Sequence, residues 1–237
     1  MNKIEVCFVP ELFDYYRDDN AVVVIVDVLR ATTSICAAFV NGVNKIIPVA
    51  TVEEAIEFKN KGYIIASEKD GVKRDFADFG NSPHHFTNEN VGGKDLVYCT
   101  TNGTRTIHKA VGAKGIAIGS FLNLNAVSEW VIKQNRDVII LCAGWKGKFN
   151  LEDSLFAGAL AEKLLENSTY ETDSDAVVAS LDLWNLAKKD LPEYIKKAAQ
   201  YTRLHDNGNG DSIGHCLVID SIDIVPVFEN NELKIEF

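Results

Sequence analysis

Apolar residues in this chain fall into short β-branched runs that alternate with stretches of helical periodicity. Residues Ala21–Asp27 (AVVVIVD) are almost continuously apolar, which predicts a strand buried on both faces. Ala31–Val40 follows and reads as a helix. Further strands are predicted at Asn44–Val49, Tyr63–Ala66, Asp95–Cys99, Gly115–Ile118 and Asp137–Cys142. Helices are predicted at Thr51–Asn60, Gly103–Val111, Leu124–Gln134 and Leu151–Glu166. Thr51 with Glu54 three residues later is the signature of a capping box. Strand and helix in alternation imply an α/β fold, with a mainly parallel or mixed sheet and helices on both faces.

The texture changes near residue 167. Asp175–Lys189, Glu193–Gln200 and Tyr201–His205 read as consecutive helices, and Asn207–Asp211 as a turn cluster. Cys216–Ile219, Ile222–Phe228 and Leu233–Glu236 read as short strands, the last two forming a hairpin through Asn230 and Asn231. No linker is evident. Residues 1–237 are therefore expected to form one α/β unit, or two intertwined lobes of about 1–167 and 168–237.

Composition adds limits. Apolar residues make up 46% and charged residues 24%, ordinary for a globular protein with its own core. Lys plus Arg is 24 against 34 Asp plus Glu, a net charge of −10, which disfavours nucleic acid and anionic membranes as partners. The N-terminus lacks the pattern of a secretory signal. The five cysteines lie far apart with no CxxC, so free thiols and a cytoplasmic location are expected. A homodimer is expected on general frequency alone.

In parallel sheets ligands bind beyond the carboxyl ends of strands. The first long strand is followed by Asp27, Arg30, Thr32, Thr33 and Ser34, a carboxylate, an arginine and three hydroxyls at a helix start. Asp95–Cys99 is followed by Thr100, Thr101, Asn102, Gly103, Thr104 and Arg105, which repeats that chemistry. Arginine suits bidentate contact with phosphate or sulfonate. Each segment alone is equally well explained as a hydroxyl-rich turn or cap. Residues 67–83 read as a long irregular polar stretch, with Glu68 at a strand exit and Lys73 and Arg74 able to meet an anion. A solvated charged loop is the plain alternative. After Asp137–Cys142, Lys148 precedes Glu152 and Asp153, two acids that open a helix. The helix dipole explains them completely. The functional alternative is a hard-cation site shared with Asp27 and Glu68, and carboxylate oxygens suit Mg²⁺. His84, His85, His108, His205 and His215 lack zinc-site spacing, and no GxSxG, GxGxxG or Walker A motif is present.

Four blocks in order, DVLRATTSI, SEKDGVKRDFADFGNSP, TTNGTR and CAGWKGKFNLEDSLFAGALAEKL, resemble the 2-phosphosulfolactate phosphatase family. The resemblance covers most of residues 22–165 and is weaker beyond. It implies a fold peculiar to that family and a Mg²⁺-dependent hydrolysis of (R)-2-phospho-3-sulfolactate to (R)-3-sulfolactate and phosphate, a step toward coenzyme M. The motif positions fall on Asp27, Arg30, Thr32 and Thr33, on Glu68 with Asn81, Ser82 and Pro83, on Asn102, Gly103, Thr104 and Arg105, and on Glu152 and Asp153. Lys69-Asp70 and Trp145-Lys146 depart from the pattern and bear on substrate identity rather than reaction class.

On this reading Asp27, Glu68, Glu152 and Asp153 are the metal ligands. Asp27 or Asp153 acts on water or as nucleophile, with Arg30 and Arg105 stabilising charge. Arg30, Thr32, Thr33, Lys73, Arg74, Asn102, Gly103, Thr104, Arg105 and Lys148 hold a small anionic phosphorylated substrate. Direct attack by water is favoured because the DxD pattern is absent, position 29 being Leu. The rival readings are a phosphatase for another phosphorylated hydroxy acid and a binding protein for an anionic metabolite.

Overall fold

The computed structural model describes residues 1–236. Its strands are β1 (Asn2–Cys7), β2 (Val22–Val26), β3 (Lys45–Pro48), β4 (Ile64–Lys69), β5 (Val72–Lys73), β6 (Asp95–Cys99), β7 (Gly115–Gly119), β8 (Val138–Cys142), β9 (Tyr170–Glu171), β10 (Pro226–Glu229) and β11 (Glu232–Ile235). The helices are α1 (Ala31–Val40), α2 (Val52–Asn60), α3 (Asn88–Val91), α4 (Gly103–Lys109), α5 (Leu124–Gln134), α6 (Leu151–Leu165), α7 (Asp175–Ala187), α8 (Leu191–Tyr194), α9 (Ala199–Asp206) and α10 (Asp211–Cys216).

The strands form one mixed sheet in the order β5-β4-β6-β3-β11-β10-β7-β2-β8-β1-β9. Two parallel blocks, β4-β6-β3 and β7-β2-β8-β1-β9, are joined at the centre by the antiparallel hairpin β10–β11. The last strands of the chain thus sit in the middle of the sheet, with Val227 opposite Ala117 and Leu233 opposite Ile46.

Side chains alternate across the sheet as the pleat requires. Val22, Val24 and Val26 enter one apolar cluster with Leu155, Phe156 and Trp184. Val23 and Ile25 enter a second with Ile35 and Phe39 of α1 and with Ile46, Leu96 and Tyr98 of the other block. Every residue of α1 from Ala31 to Phe39 is buried. Its hydroxyls are satisfied internally, Thr32 and Thr33 by backbone carbonyls and Ser34 by Asn81 O, so the whole helix can be enclosed. That enclosure brings the segments after β2, β4, β6 and β8 to one place.

Several expectations are corrected. Cys216–Ile219 is not a strand: Ile213, Cys216 and Leu217 are buried on one face of α10 and its exit, a helical spacing. The strand expected at Ile222–Phe228 shortens to Pro226–Glu229. Its first half spends backbone groups elsewhere, since Ile222 N–H donates to Leu122 O and Asn123 donates to Ile224 O. The stretch after Tyr63–Ala66 is less irregular than its polarity suggests. β4 continues to Lys69 and turns back into β5 at Asp70 (φ 53°) and Gly71 (φ 86°). Asp-Gly is a favoured pair for such two-residue turns. The helix expected at Glu193–Gln200 breaks at Ala198, whose ψ is 134°. Strands β1 and β9 add to one edge of the sheet without having been anticipated.

The capping box forms as expected, with Thr51 Oγ1 accepting from Glu54 N–H at 3.2 Å and Glu54 accepting from Thr51 N–H at 3.2 Å. All five cysteines are buried and unpaired. No helix among the described residues is long and apolar enough to cross a membrane.

Helices α6 and α7 cross in close contact at Gly158. A Cβ there would lie 2.1 Å from the Ser180 carbonyl oxygen. Overpacking of this kind costs about 1–3 kcal/mol. Gly158→Ala is therefore expected to lower Tm by about 2–10 °C in calorimetry. An unchanged Tm would show that the crossing has slack.

Candidate active site

The turn from β2 into α1 is built by its own hydroxyls. Asp27 N–H donates to Thr32 Oγ1 at 3.1 Å, and that hydroxyl donates to Asp27 O at 2.9 Å. Thr33 Oγ1 donates to Val28 O at 2.9 Å, and Ser34 Oγ to Asn81 O at 3.1 Å. Thr32 and Thr33 are fully buried and shape the loop rather than face a ligand. The loop after β6 works the same way. Thr104 Oγ1 accepts from Thr100 N–H and donates to Thr100 O, while Thr100 Oγ1 accepts from Thr104 N–H. Gly103 lets the two turns meet: a Cβ there would lie 2.5 Å from Ala31 Cβ and 3.1 Å from Asp27 Oδ2.

Each acid has a distinct setting. Glu68 Oε1 accepts from Thr101 N–H at 2.8 Å and Oε2 from Gly71 N–H at 2.7 Å, so it ties the β4–β5 turn to the loop after β6. Asp153 Oδ1 accepts from Val28 N–H at 2.9 Å and Oδ2 from Gly144 N–H at 3.1 Å, so it joins the loops after β2 and β8. Asp27 Oδ1 accepts from Ala31 N–H at 3.3 Å. Glu152 is buried, and its Oε1 has no hydrogen-bond partner.

Burial, with the neighbouring acids adding to it, pushes Asp27 and Glu152 each up to about 7. Burial first, then Glu152 and Asp27, holds Asp153 well above the ordinary carboxylate range. Three acids in one low-dielectric neighbourhood resist joint ionisation.

A small cavity of about 20 Å³ adjoins Asp27, room for about one water. Asp27, Arg30, Glu68, Asn102, Trp145 and Gln200 are among its lining. Arg30 is 3% exposed, and its Nη1 donates to Asn209 Oδ1 at 3.1 Å and Ser212 Oγ at 3.2 Å. Gln200 Nε2 donates to Leu29 O at 3.0 Å. Sequence reasoning missed these C-terminal residues: the Asn-Gly repeat signalled a turn but not that it folds back onto Arg30. Asn81 accepts a hydrogen bond from buried Tyr98, a contact also missed.

The remaining candidates lie apart. Arg105 is exposed and faces a neighbouring cavity of about 250 Å³, together with Lys109 and Lys146; Asn102 lines both cavities. Lys148 is exposed on the loop after β8. Lys73 is exposed and donates to Ala77 O at 2.9 Å. Arg74 is half-buried, its Nε unpartnered.

Among the described residues no three His, Cys, Asp or Glu side chains form a ready-made metal cage. Mg²⁺ does not need one, since it is held by one or two carboxylates with waters and substrate phosphate. Asp153 and Glu68 already spend both oxygens on amides. Glu152 has an unpartnered oxygen and Asp27 only one weak contact, so this pair fits such an ion.

Buried acids and an arginine beyond the strand ends of an α/β sheet define a site for a small anionic ligand. The family model for 2-phosphosulpholactate phosphatase matches residues 7–231, and the chain belongs to that family. It is 39% identical to a probable 2-phosphosulfolactate phosphatase of Caldanaerobacter subterraneus subsp. tengcongensis, over 90% of this chain and 89% of that protein. It is 38% identical to the protein so named in Clostridium novyi, over 88% and 89%. For that of Thermotoga maritima the values are 37%, 87% and 88%.

Raised carboxyl pKa values fix a sign. A group near 4 unfolded and near 7 folded binds a proton on folding between those values. Stability therefore falls as pH rises from about 4 to 7 and levels off above. In metal-free buffer Asp27→Asn is expected to raise Tm at pH 8 and to flatten that slope. Parallel Tm–pH curves for the two proteins would contradict the burial of the Asp27 charge.

Proposed function

We propose that this chain is a Mg²⁺-dependent phosphatase that hydrolyses (R)-2-phospho-3-sulfolactate to (R)-3-sulfolactate and phosphate, a step in assembling coenzyme M. The observation that carries this reading is the buried, mutually interacting set Asp27, Glu152 and Asp153, of which Asp27 lines the pocket together with Arg30. A pure anion receptor gains nothing from three acids at its ligand. A phosphatase gains a seat for a cation and an acceptor for a proton. The names of the relatives supply the substrate class.

Asp27 and Glu152 would hold the Mg²⁺, which supplies positive charge to the phosphoryl oxygens. Arg30, clamped by Asn209 and Ser212, presents its remaining N–H groups in a fixed plane. Water attacks phosphorus in line as the ester P–O bond breaks. The water's proton passes to the acid set, and the leaving alkoxide regains a proton from it. Most of the acceleration then comes from positioning and charge stabilisation.

Phosphate release from 2-phosphosulfolactate, with Mg²⁺ and with EDTA, beside 2-phosphoglycerate and phospholactate, tests the proposal. Metal-dependent release with strong preference for the sulfonate is expected. Release without that preference would remove the coenzyme M assignment and keep the phosphatase. No release from any of the three would return the site to anion binding. Arg30→Ala is expected to cut kcat/KM by about 10²-fold or more, since a buried charge-assisted contact is lost together with its scaffold.

A further inference from the structure

We infer that Arg203, on α9, binds an anionic group of the substrate other than the transferred phosphoryl. This rests on the phosphatase reading above. The guanidinium of Arg203 lies 4.3 Å from the centroid of the Trp145 ring. Its Nε donates to Gln200 Oε1 at 2.7 Å. Trp145 and Gln200 both line the pocket, so the arginine is pinned between two of its walls.

Its Nη2 is enclosed by protein and has no hydrogen-bond partner. A buried unmatched donor on a charged group is costly. Glu152, the acid with an unpartnered oxygen, is close enough for its charge to act on Arg203. Arg203, held against two lining residues, and Glu152 near it therefore leave unspent hydrogen-bonding capacity of opposite sign.

The other cations near the site are differently committed. Arg30 Nη1 is held by Asn209 and Ser212, Arg105 faces the neighbouring cavity, and Lys146 pairs with Asp70 at 3.0 Å. Arg203 has a donor to offer and a plane already fixed by stacking. Planar, pre-oriented guanidinium suits carboxylate or sulfonate.

The test is steady-state kinetics of the full chain with 2-phosphosulfolactate and with p-nitrophenyl phosphate, which carries no second acid group. Arg203→Ala is expected to raise KM for 2-phosphosulfolactate by about 10- to 100-fold. It should leave p-nitrophenyl phosphate turnover within about threefold. Arg203→Lys keeps the charge and the stem on Trp145, and should fall between.

Equal losses on both substrates with a lowered Tm would assign Arg203 a merely structural role and overturn the inference. So would an unchanged KM. If wild type turns over neither substrate, the phosphatase reading fails by itself. Calorimetric binding of 3-sulfolactate then decides the inference alone: binding lost in Arg203→Ala supports it, and binding retained, or absent in wild type, overturns it.

Discussion

The Asp153 carboxyl group holds the site together. Its two oxygens accept from Val28 and Gly144, and so fix the loops after β2 and β8 against one another. It does this while fully enclosed and beside Glu152 and Asp27. Two amide donors favour its ionised form, whereas burial and two neighbouring acids oppose it, and the opposition wins. The fold thus stores carboxyl groups where charge is disfavoured. A bound cation reverses that balance, because it favours ionised ligands and releases their protons. On the proposed reading, structural stitching and a seat for a cation would be two consequences of one arrangement.

The C-terminal part serves the same place from two directions. The hairpin β10–β11 joins the two parallel blocks, so the sheet is continuous only when the end of the chain is in place. Helix α9 lines the pocket through Gln200 and Leu204, and α10 reaches Arg30 through Ser212. Leu204, Ile213 and Cys216 anchor them in the core, while Gln200, Asn209 and Ser212 touch the loop after β2 through polar contacts. The cavity of about 20 Å³ is lined by Gln200 and Leu204 of α9 as well as by Asp27 and Arg30. Polar contacts exchange with water at small net cost, unlike the apolar anchors.

Sequence periodicity was legible wherever burial is two-sided or helical. Ala21–Asp27 reads as a strand because β2 has helices on both faces, and Leu124–Gln134 is found with the same bounds. Expectation failed where an apolar run is short. Cys216 and Leu217 read equally well as strand or helix until Ile213 is seen beside them. For the site, strand-end logic found Asp27, Arg30, Glu68 and Asn102, which line one cavity. It treated the hydroxyls of Thr32, Thr33 and Thr104 as ligand contacts, whereas each closes its own turn. It grouped Arg105 with Arg30 because their motifs look alike. One turn of α4 separates Arg105 from the pocket, and side-chain direction is not visible in a motif. Gln200 and Asn209 lie 171 and 179 residues from their partners in the loop after β2, and local pattern carries no information at that separation.

Charge explains why acids and arginines occur together here. A substrate with a phosphate monoester and two further acid groups carries about four negative charges near neutral pH. The protein itself is at −10. Long-range attraction is therefore absent, and screening over about 8 Å confines the contest to the pocket. Arginines alone could balance the ligand, yet they would hold substrate and product alike. A divalent ion held by Asp27 and Glu152, as proposed, would act differently. It would supply positive charge to the phosphoryl group, where charge shifts during reaction, and the acids would keep the site from carrying a fixed excess of positive charge. Stabilisation that grows toward the transition state raises turnover, while uniform binding does not. The buried acids are the part of the site that makes this distinction available.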